Sequence, residues 1–315
     1  METSASKHRE SSTPLILVTG KDGQLGFELT RSLQSVGSVV AVGRAELDLN
    51  SPDAISAMVE RIRPDFIVNA AAYTAVDKAE SDAEQCFAVN AAAPAAMAQA
   101  AKRCGATLLH FSTDYVFDGQ ATHAYRETDV CNPQSVYGSS KLAGEKAIAE
   151  ALSEHFIFRT SWVVGAFGGN FAKTMVRLAR ERDELRVVAD QWGVPTPAYL
   201  LADVAATMIR AVTADPSFLR SHSGTYHLAP QGETTWHGYA QHVLRRMAEL
   251  GIALKTQADA VQPITTDQFP TPAKRPANSR LDTARLRSVP GIVLPQWQDS
   301  LEPVIRLLAL QTAGR

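Results

Sequence analysis

From Leu15 onward, short and largely apolar runs alternate with longer stretches of helical periodicity, and this rhythm constrains the fold more than any other feature of the chain. Leu15–Val18, Val39–Val42, Phe66–Val68, Thr107–Phe111 and Phe156–Phe158 read as strands. None shows polar alternation, so both faces of their sheet must be covered. The segments between them read as helices. Gln24–Val36 carries Leu25, Leu29, Leu33 and Val36 on one stripe. Pro52–Ile62 has Ser51 as N-cap and proline in its first position. An alanine-rich helix follows over Ala83–Arg103, closed by Gly105, and another over Ser139–Leu152.

Strand–helix alternation with right-handed crossovers gives the expected fold class: α/β, a Rossmann-type doubly wound parallel sheet. Beyond about residue 165 the rhythm loosens and prolines gather at Pro195, Pro197, Pro263, Pro270, Pro272, Pro276, Pro290 and Pro295. That marks a smaller, loop-rich C-terminal lobe. The expected organisation is a flexible tail over 1–14 and a nucleotide-binding domain over 15–165. Residues 166–315 form mainly the second lobe, with some segments returning to the sheet.

The 315 residues carry a formal charge of −2, which excludes the basic excess a nucleic-acid binder needs. Cys86, Cys104 and Cys131 are odd in number and scattered, the pattern of reduced thiols rather than a disulfide framework or a zinc site. The eight histidines show no ligand spacing. No apolar run is long enough for a membrane span, and the polar start lacks the core of a signal peptide. A cytoplasmic protein is expected.

The first strand runs into Gly20-Lys21-Asp22-Gly23-Gln24-Leu25-Gly26, a G-x-x-G-x-x-G loop. Such a loop lets a pyrophosphate approach the backbone over the N-terminus of the next helix. The second strand ends Val42-Gly43-Arg44, with an arginine where an acid would hold the ribose 2′-hydroxyl of NAD. The expected cofactor is therefore NADPH, with NADH possible. Asp48 and Leu49 border the adenine.

Tyr137 and Lys141 stand four residues apart at the opening of a helix, on one face. An ammonium beside a phenol lowers its pKa and makes it a better proton donor. Thr113, at the carboxyl end of the fourth strand, points into the crevice where ligands of such sheets bind. Glycine loop, Thr113, Tyr137 and Lys141 in this order resemble the short-chain dehydrogenase/reductase superfamily, and a 315-residue chain with a second lobe resembles its extended, sugar-nucleotide branch.

A closer resemblance rests on five stretches: Val68-Asn69-Ala70-Ala71-Ala72-Tyr73-Thr74-Ala75-Val76-Asp77-Lys78-Ala79-Glu80; Ser112-Thr113-Asp114-Tyr115-Val116-Phe117; Phe158-Arg159-Thr160-Ser161-Trp162-Val163; Asp190-Gln191-Trp192-Gly193-Val194-Pro195-Thr196; and Arg275-Pro276-Ala277-Asn278-Ser279-Arg280-Leu281. Together they are similar to the dTDP-4-dehydrorhamnose reductase family, over nearly all of Leu15 to Trp297.

The resemblance implies the following roles. Tyr137 protonates the C4 oxygen of a 4-keto sugar nucleotide, Lys141 lowers the Tyr137 pKa and holds the nicotinamide ribose, and Thr113 orients the carbonyl. Gly20, Gly23, Gln24, Leu25, Gly26, Ala72, Tyr73, Thr74 and Phe111 join Arg44, Asp48 and Leu49 in the cofactor site. Asp114, Trp162, Arg275 and Asn278 contact the substrate, dTDP-4-dehydrorhamnose. It also implies a place in dTDP-rhamnose and O-antigen synthesis.

Some members bridge dimers through Mg²⁺ held by acids. Here Glu28 matches one position while Tyr199 and Gln298 occupy the others, so Mg²⁺ is not expected and a monomer or weak homodimer is. Epimerases and dehydratases of nucleotide sugars share the frame. Dehydratases, however, carry an Asp-Glu pair after the strand-end threonine, where this chain has Asp114-Tyr115. A non-catalytic binding subunit would have no need of Tyr137 and Lys141.

Overall fold

The computed structural model describes residues 13–314. Most of the tail expected over 1–14 thus lies outside the described residues, while Pro14 is buried and its carbonyl accepts from Ser38 N at 2.8 Å.

Five strands open the chain: β1 (Leu15–Thr19), β2 (Ser38–Val42), β3 (Phe66–Asn69), β4 (Thr107–Thr113) and β5 (His155–Thr160). They pair in parallel in the order β2-β1-β3-β4-β5, and strand Gly224–His227 adds a sixth at the β5 edge. Every residue of β3, β4 and β5 is buried, as expected of a sheet covered on both faces. The order reverses between β1 and β3. Side chains and amides from those two carboxyl ends therefore face a crevice that no crossover fills.

Each face has its own core. On one, α1 (Gln24–Leu33) buries Leu29 and Leu33 together with Leu201, Ala205 and Ile209 of helix Ala198–Ala214. On the other, Ile55 and Val59 of α2 (Pro52–Ile62) pack with Met97 and Ala101 of helix Ala93–Cys104. A further core lies off the sheet, made by Met175, Val187, Tyr239, Leu244, Val261, Trp297 and Leu301. Helix Ala198–Ala214 and strand Gly224–His227 come from the second half of the sequence yet complete the sheet layers.

Local signals explain the boundaries. The Ser51 hydroxyl accepts from Ala54 N and Pro52 starts α2, so that helix begins where the sequence placed it. Gly105 ends its helix at φ 75°. The long helix expected over Ala83–Arg103 is broken into Ala83–Phe87, a π-helical turn Ala88–Ala92, and Ala93–Cys104. Pro94 has no N–H to return to the Asn90 carbonyl, so the regular ladder cannot run through this point. Among the described residues, no helix is long and apolar enough to cross a membrane.

Candidate active site

The glycine loop closes on itself through backbone contact. Gly20 adopts φ +77°, and a Cβ there would sit 2.9 Å from the Ala71 backbone; one on Gly26 would sit 1.9 Å from the Gly20 carbonyl oxygen. Gly23 caps α1 with no side-chain hydrogen bond, so the amides of the first turn, Gln24 and Leu25 among them, face the crevice with the positive end of the helix dipole. The Gln24 side chain is already used: its Oε1 accepts from Gly165 N at 2.8 Å and Asn170 Nδ2 at 2.9 Å, tying the loop to the second half of the chain.

Arg44 stands exposed at the end of β2. Lys21 and Glu46, neither singled out in the sequence, pair beside it at 2.6 Å, and Glu46 also accepts from Gly43 N at 2.8 Å. Asp48 is exposed and spends Oδ1 on Asn50, while Leu49 packs inward against the α2 core.

Past β3, Ala72, Tyr73 and Thr74 form the opposite lip. Asn90, in the π-helical turn, clamps it: its Oδ1 accepts from Tyr73 N at 2.9 Å and its Nδ2 donates to Tyr73 O at 3.0 Å. Nothing local in the sequence announces this pairing across 17 residues.

Tyr137 and Lys141 lie in helix Val136–Ala151, which Ser135 caps by accepting from Gly138 N at 3.1 Å. That serine moves the helix start three residues before the Ser139 expected from periodicity and sets Tyr137 in its first turn. Tyr137 faces Thr113 at the end of β4, whose hydroxyl donates to Asp114 Oδ1 at 3.1 Å and accepts from Tyr115 N at 3.2 Å. The Tyr115 ring meets it edge-on with centroids 5.5 Å apart. Lys141 is buried and donates to the Phe111 carbonyl at 2.7 Å.

The electrostatics differ from the sequence expectation for Tyr137. Burial of the phenol outweighs the Thr113 hydroxyl facing it, and the Asp114 carboxylate adds to it, so Tyr137 is pushed well above the usual tyrosine range. Burial likewise pushes the Lys141 ammonium down to about 8, against the opposing pull of Glu145. Burial raises Asp114 to about 6 despite hydrogen bonds from Ser279 and Thr113. The phenol therefore keeps its proton throughout the neutral range.

The Arg275 guanidinium pairs with Asp77 at 2.5 Å and donates to Tyr115 Oη at 3.1 Å. Asp77 and Tyr115 both stood in the quoted stretches without an assigned part. Trp162 adopts φ 46° and stacks on Trp236 with centroids 3.7 Å apart. The expected substrate residue Asn278 has other partners: Nδ2 donates to Ala121 O at 2.8 Å and His123 O at 2.7 Å, and Oδ1 accepts from Arg280. Its amide is spent on holding a loop, whereas its neighbour Ser279 reaches Asp114.

Glu28 pairs with Arg31 at 3.0 Å, and Tyr199 Oη donates to Ser300 O at 2.7 Å. Among the described residues, no group of three or more His, Cys, Asp or Glu side chains comes together as a metal would need.

The model of the RmlD substrate binding domain matches residues 14–310. A dTDP-4-dehydrorhamnose reductase of Escherichia coli (strain K12) is 45% identical over 302 residues, 95% of this chain and 99% of that one. The crystal structure of a dTDP-4-dehydrorhamnose reductase from Clostridium acetobutylicum superposes with a TM-score of 0.85 at 36% identity, covering 93% of this chain and 99% of that one. A dTDP-4-dehydrorhamnose reductase from Bacillus anthracis, solved in complex with NADP, gives a TM-score of 0.83 at 34% identity with the same coverage.

Proposed function

The chain belongs to the RmlD substrate-binding-domain family, and from that premise we propose that it is an NADPH-dependent dTDP-4-dehydrorhamnose reductase. The reaction is reduction of the C4 ketone of dTDP-4-dehydro-6-deoxy-L-mannose to the alcohol of dTDP-L-rhamnose. The observation that carries this reading is the placement of Thr113 at the carboxyl end of β4 with Tyr137 and Lys141 one helical turn apart on the helix above it, Lys141 donating to the β4 carbonyl of Phe111 at 2.7 Å.

The residues of the crevice fit a dinucleotide. Gly20 and Gly26 leave a cradle that a Cβ would fill, and the uncapped first turn of α1 offers amides to a pyrophosphate. Exposed Arg44, just past the end of β2, suits a 2′-phosphate. When bound, NADPH supplies the hydride.

The chain supplies position and a proton. Thr113 Oγ1, which donates to Asp114 Oδ1 at 3.1 Å, turns with Tyr137 Oη to hold a ketone oxygen between two hydroxyls. As charge develops on that oxygen, Tyr137 gives up its proton to it. The phenol carries its proton at neutral pH, and the proton moves only as negative charge develops on the ketone oxygen. Lys141 lies beneath, placed to hold the nicotinamide ribose.

Arg275 is the fork that suits the substrate diphosphate, preset by Asp77 and Tyr115. Trp162 lies against the sugar, and Asp114, joined to Ser279, closes the same end. Asn278 acts here through the loop it holds. A monomer or weak homodimer without a Mg²⁺ bridge remains the proposal, with Tyr199 and Gln298 standing where acids would be needed. The three free cysteines suit a reducing, cytoplasmic setting.

The test is ketosugar-dependent loss of reduced-nicotinamide absorbance, with dTDP-4-dehydrorhamnose generated in situ and NADH run beside NADPH. Turnover favouring NADPH is expected, and Tyr137→Phe is expected to lose roughly 10²–10⁴-fold in kcat while binding NADPH normally. Wild-type turnover in Tyr137→Phe removes Tyr137 as the acid. Folded wild-type protein that oxidises neither cofactor overturns the reductase reading.

A further inference from the structure

The sequence has no acid at the end of β2, yet the fold brings two there. β2 ends at Val42, and buried Gly43 follows it at the place where an NAD enzyme keeps its carboxylate for the ribose 2′-hydroxyl. The glycine loop is laced to this point: Gly20 N and Lys21 N both donate to the Val42 carbonyl, at 2.9 and 3.2 Å. One residue further, Asp22 reaches across, and a Cβ on Gly43 would fall on its Oδ2. The space from which an acidic side chain at 43 would start is thus filled by a carboxylate from the loop.

A second carboxylate arrives from the other side. The chain turns after Gly43, with Glu46 N and Leu47 N donating to the Gly43 carbonyl at 3.2 and 3.0 Å. The turn folds the Glu46 side chain back, so that Oε2 accepts from Gly43 N at 2.8 Å and Oε1 from Lys21 Nζ at 2.6 Å. Lys21 and the Gly43 amide hold Glu46 below the usual carboxylate range, and it is ionised at neutral pH. Two cations flank the same glycine. A Cβ on Gly43 would lie 3.3 Å from Lys21 Cε, and Arg44 is the next residue, exposed.

We propose that Asp22 and Glu46 determine the coenzyme choice, standing in for the missing β2 acid: they accept from an unphosphorylated ribose hydroxyl and oppose a 2′-phosphate, and Lys21 is the counter-charge that admits the phosphate. The proposal deepens the reductase reading and rests on it for the identity of the coenzyme. A 2′-phosphate brings a charge of about −1.5 to −2. Lys21 can leave Glu46 to meet it, because an exposed ion pair is weakly held, and Arg44 offers a planar fork. A ribose hydroxyl needs only an acceptor, which the carboxylates supply wherever Lys21 points. NADPH is therefore favoured by a restrained margin, and NADH is kept. A Lys21–Glu46 pair that merely tied loop to strand would behave differently: its loss would disturb the pyrophosphate cradle and weaken both coenzymes in step.

The test is the Kd of NADPH and of NADH for the intact protein, by nicotinamide fluorescence at one ionic strength. The two ligands differ in the 2′-phosphate alone, so the ratio of their constants reads this corner of the site. Asp22→Asn and Glu46→Gln remove charge while keeping shape, and the glutamine still accepts from Gly43 N. Each is expected to tighten NADPH about threefold to tenfold, with NADH unchanged or weaker. Lys21→Met leaves the carboxylates opposed by Arg44 only and is expected to weaken NADPH about tenfold with little effect on NADH. Glu46→Gln, at an exposed side chain, carries the test if Asp22→Asn disturbs the loop. An unchanged ratio in Glu46→Gln and Lys21→Met overturns the proposal, and so does a loss of both coenzymes in step. Ketosugar reduction does not enter these constants. Protein that binds both coenzymes and reduces no ketosugar loses the reductase reading, and the ratios alone then decide this one; wild type that binds neither coenzyme overturns both.

Discussion

The two ends of the candidate site are built by different means. The end proposed for the nucleotide, around Gly20 to Gly26 and the tip of β3, is made of backbone: a left-handed glycine, a helix packed onto a carbonyl, and free amides. The end proposed for the sugar, around Trp162, Gly193, Trp236 and Arg275 to Ser279, is made of side chains held by one another. Backbone sites reject any added atom and tolerate no adjustment. Side-chain sites can shift, and their failures appear in one ligand's affinity rather than in the whole fold.

The largest effect is expected where the backbone leaves no room. A Cβ on Gly26 falls 1.9 Å from the Gly20 oxygen and 2.5 Å from its carbonyl carbon, and neither atom can move without moving α1 off the sheet. Gly26→Ala is expected to destabilise the protein by about 3 kcal/mol or more and to weaken NADPH binding at least tenfold. Thermal unfolding and an NADPH fluorescence titration check both. Wild-type stability with wild-type affinity in this variant would break the contrast at its stronger end.

The same contrast explains what the sequence disclosed. The strands, α2 with its Ser51 and Pro52 cap, and the spacing of Tyr137 and Lys141 are local signals, readable within a few residues. The π-helical turn at Ala88–Ala92 was not readable, because its cause is Pro94 acting together with a partner loop at Tyr73. Asn278 stood in a recognisable stretch, but its amide serves Ala121 and His123, more than 150 residues earlier, and no pattern near residue 278 states that. Tyr137 was legible in place and not in electrostatics, since burial is a property of the assembled site.

Asp114 tests the seam between the two ends, at the tip of β4 and against Ser279. Its folded pKa of about 6 lies above the ordinary 3.8. The folded protein therefore holds a proton that the unfolded chain releases earlier, and stability falls as pH rises from about 4 to about 6, then stays lower. Asp114→Asn removes that penalty. It is expected to unfold at higher denaturant than wild type at pH 7.5, by on the order of 3 kcal/mol, with the gain vanishing near pH 4. A gain equal at both pH values would show that the carboxylate is not what titrates, and the seam would then belong to packing alone.

The smallest effect sharpens the contrast most, because it should touch one ligand only. Trp162 holds φ 46°, a conformation that costs a non-glycine residue roughly 1–3 kcal/mol and persists only where its surroundings enforce it. Trp236 supplies one wall by stacking, and Gly193 supplies the other by having no side chain: a Cβ there would lie 2.6 Å from Trp162 Cε2 and Cζ2. In Gly193→Ala the obstacle is a ring that can turn, not a fixed carbonyl, so the fold adjusts and the indole leaves its stack. An indole turned out of line loses its own contact with the sugar, worth about 1 kcal/mol, which predicts a KM for the keto-sugar nucleotide raised several-fold to tenfold with NADPH affinity nearly unchanged, while the lost stack lowers the melting temperature by only about 1–3 °C. If NADPH binding weakens as much as sugar binding, the indole couples to the glycine loop, with the Gln24 bridge to Gly165 and Asn170 as the route between them. The two ends would then be one site built two ways rather than two sites that meet at Tyr137.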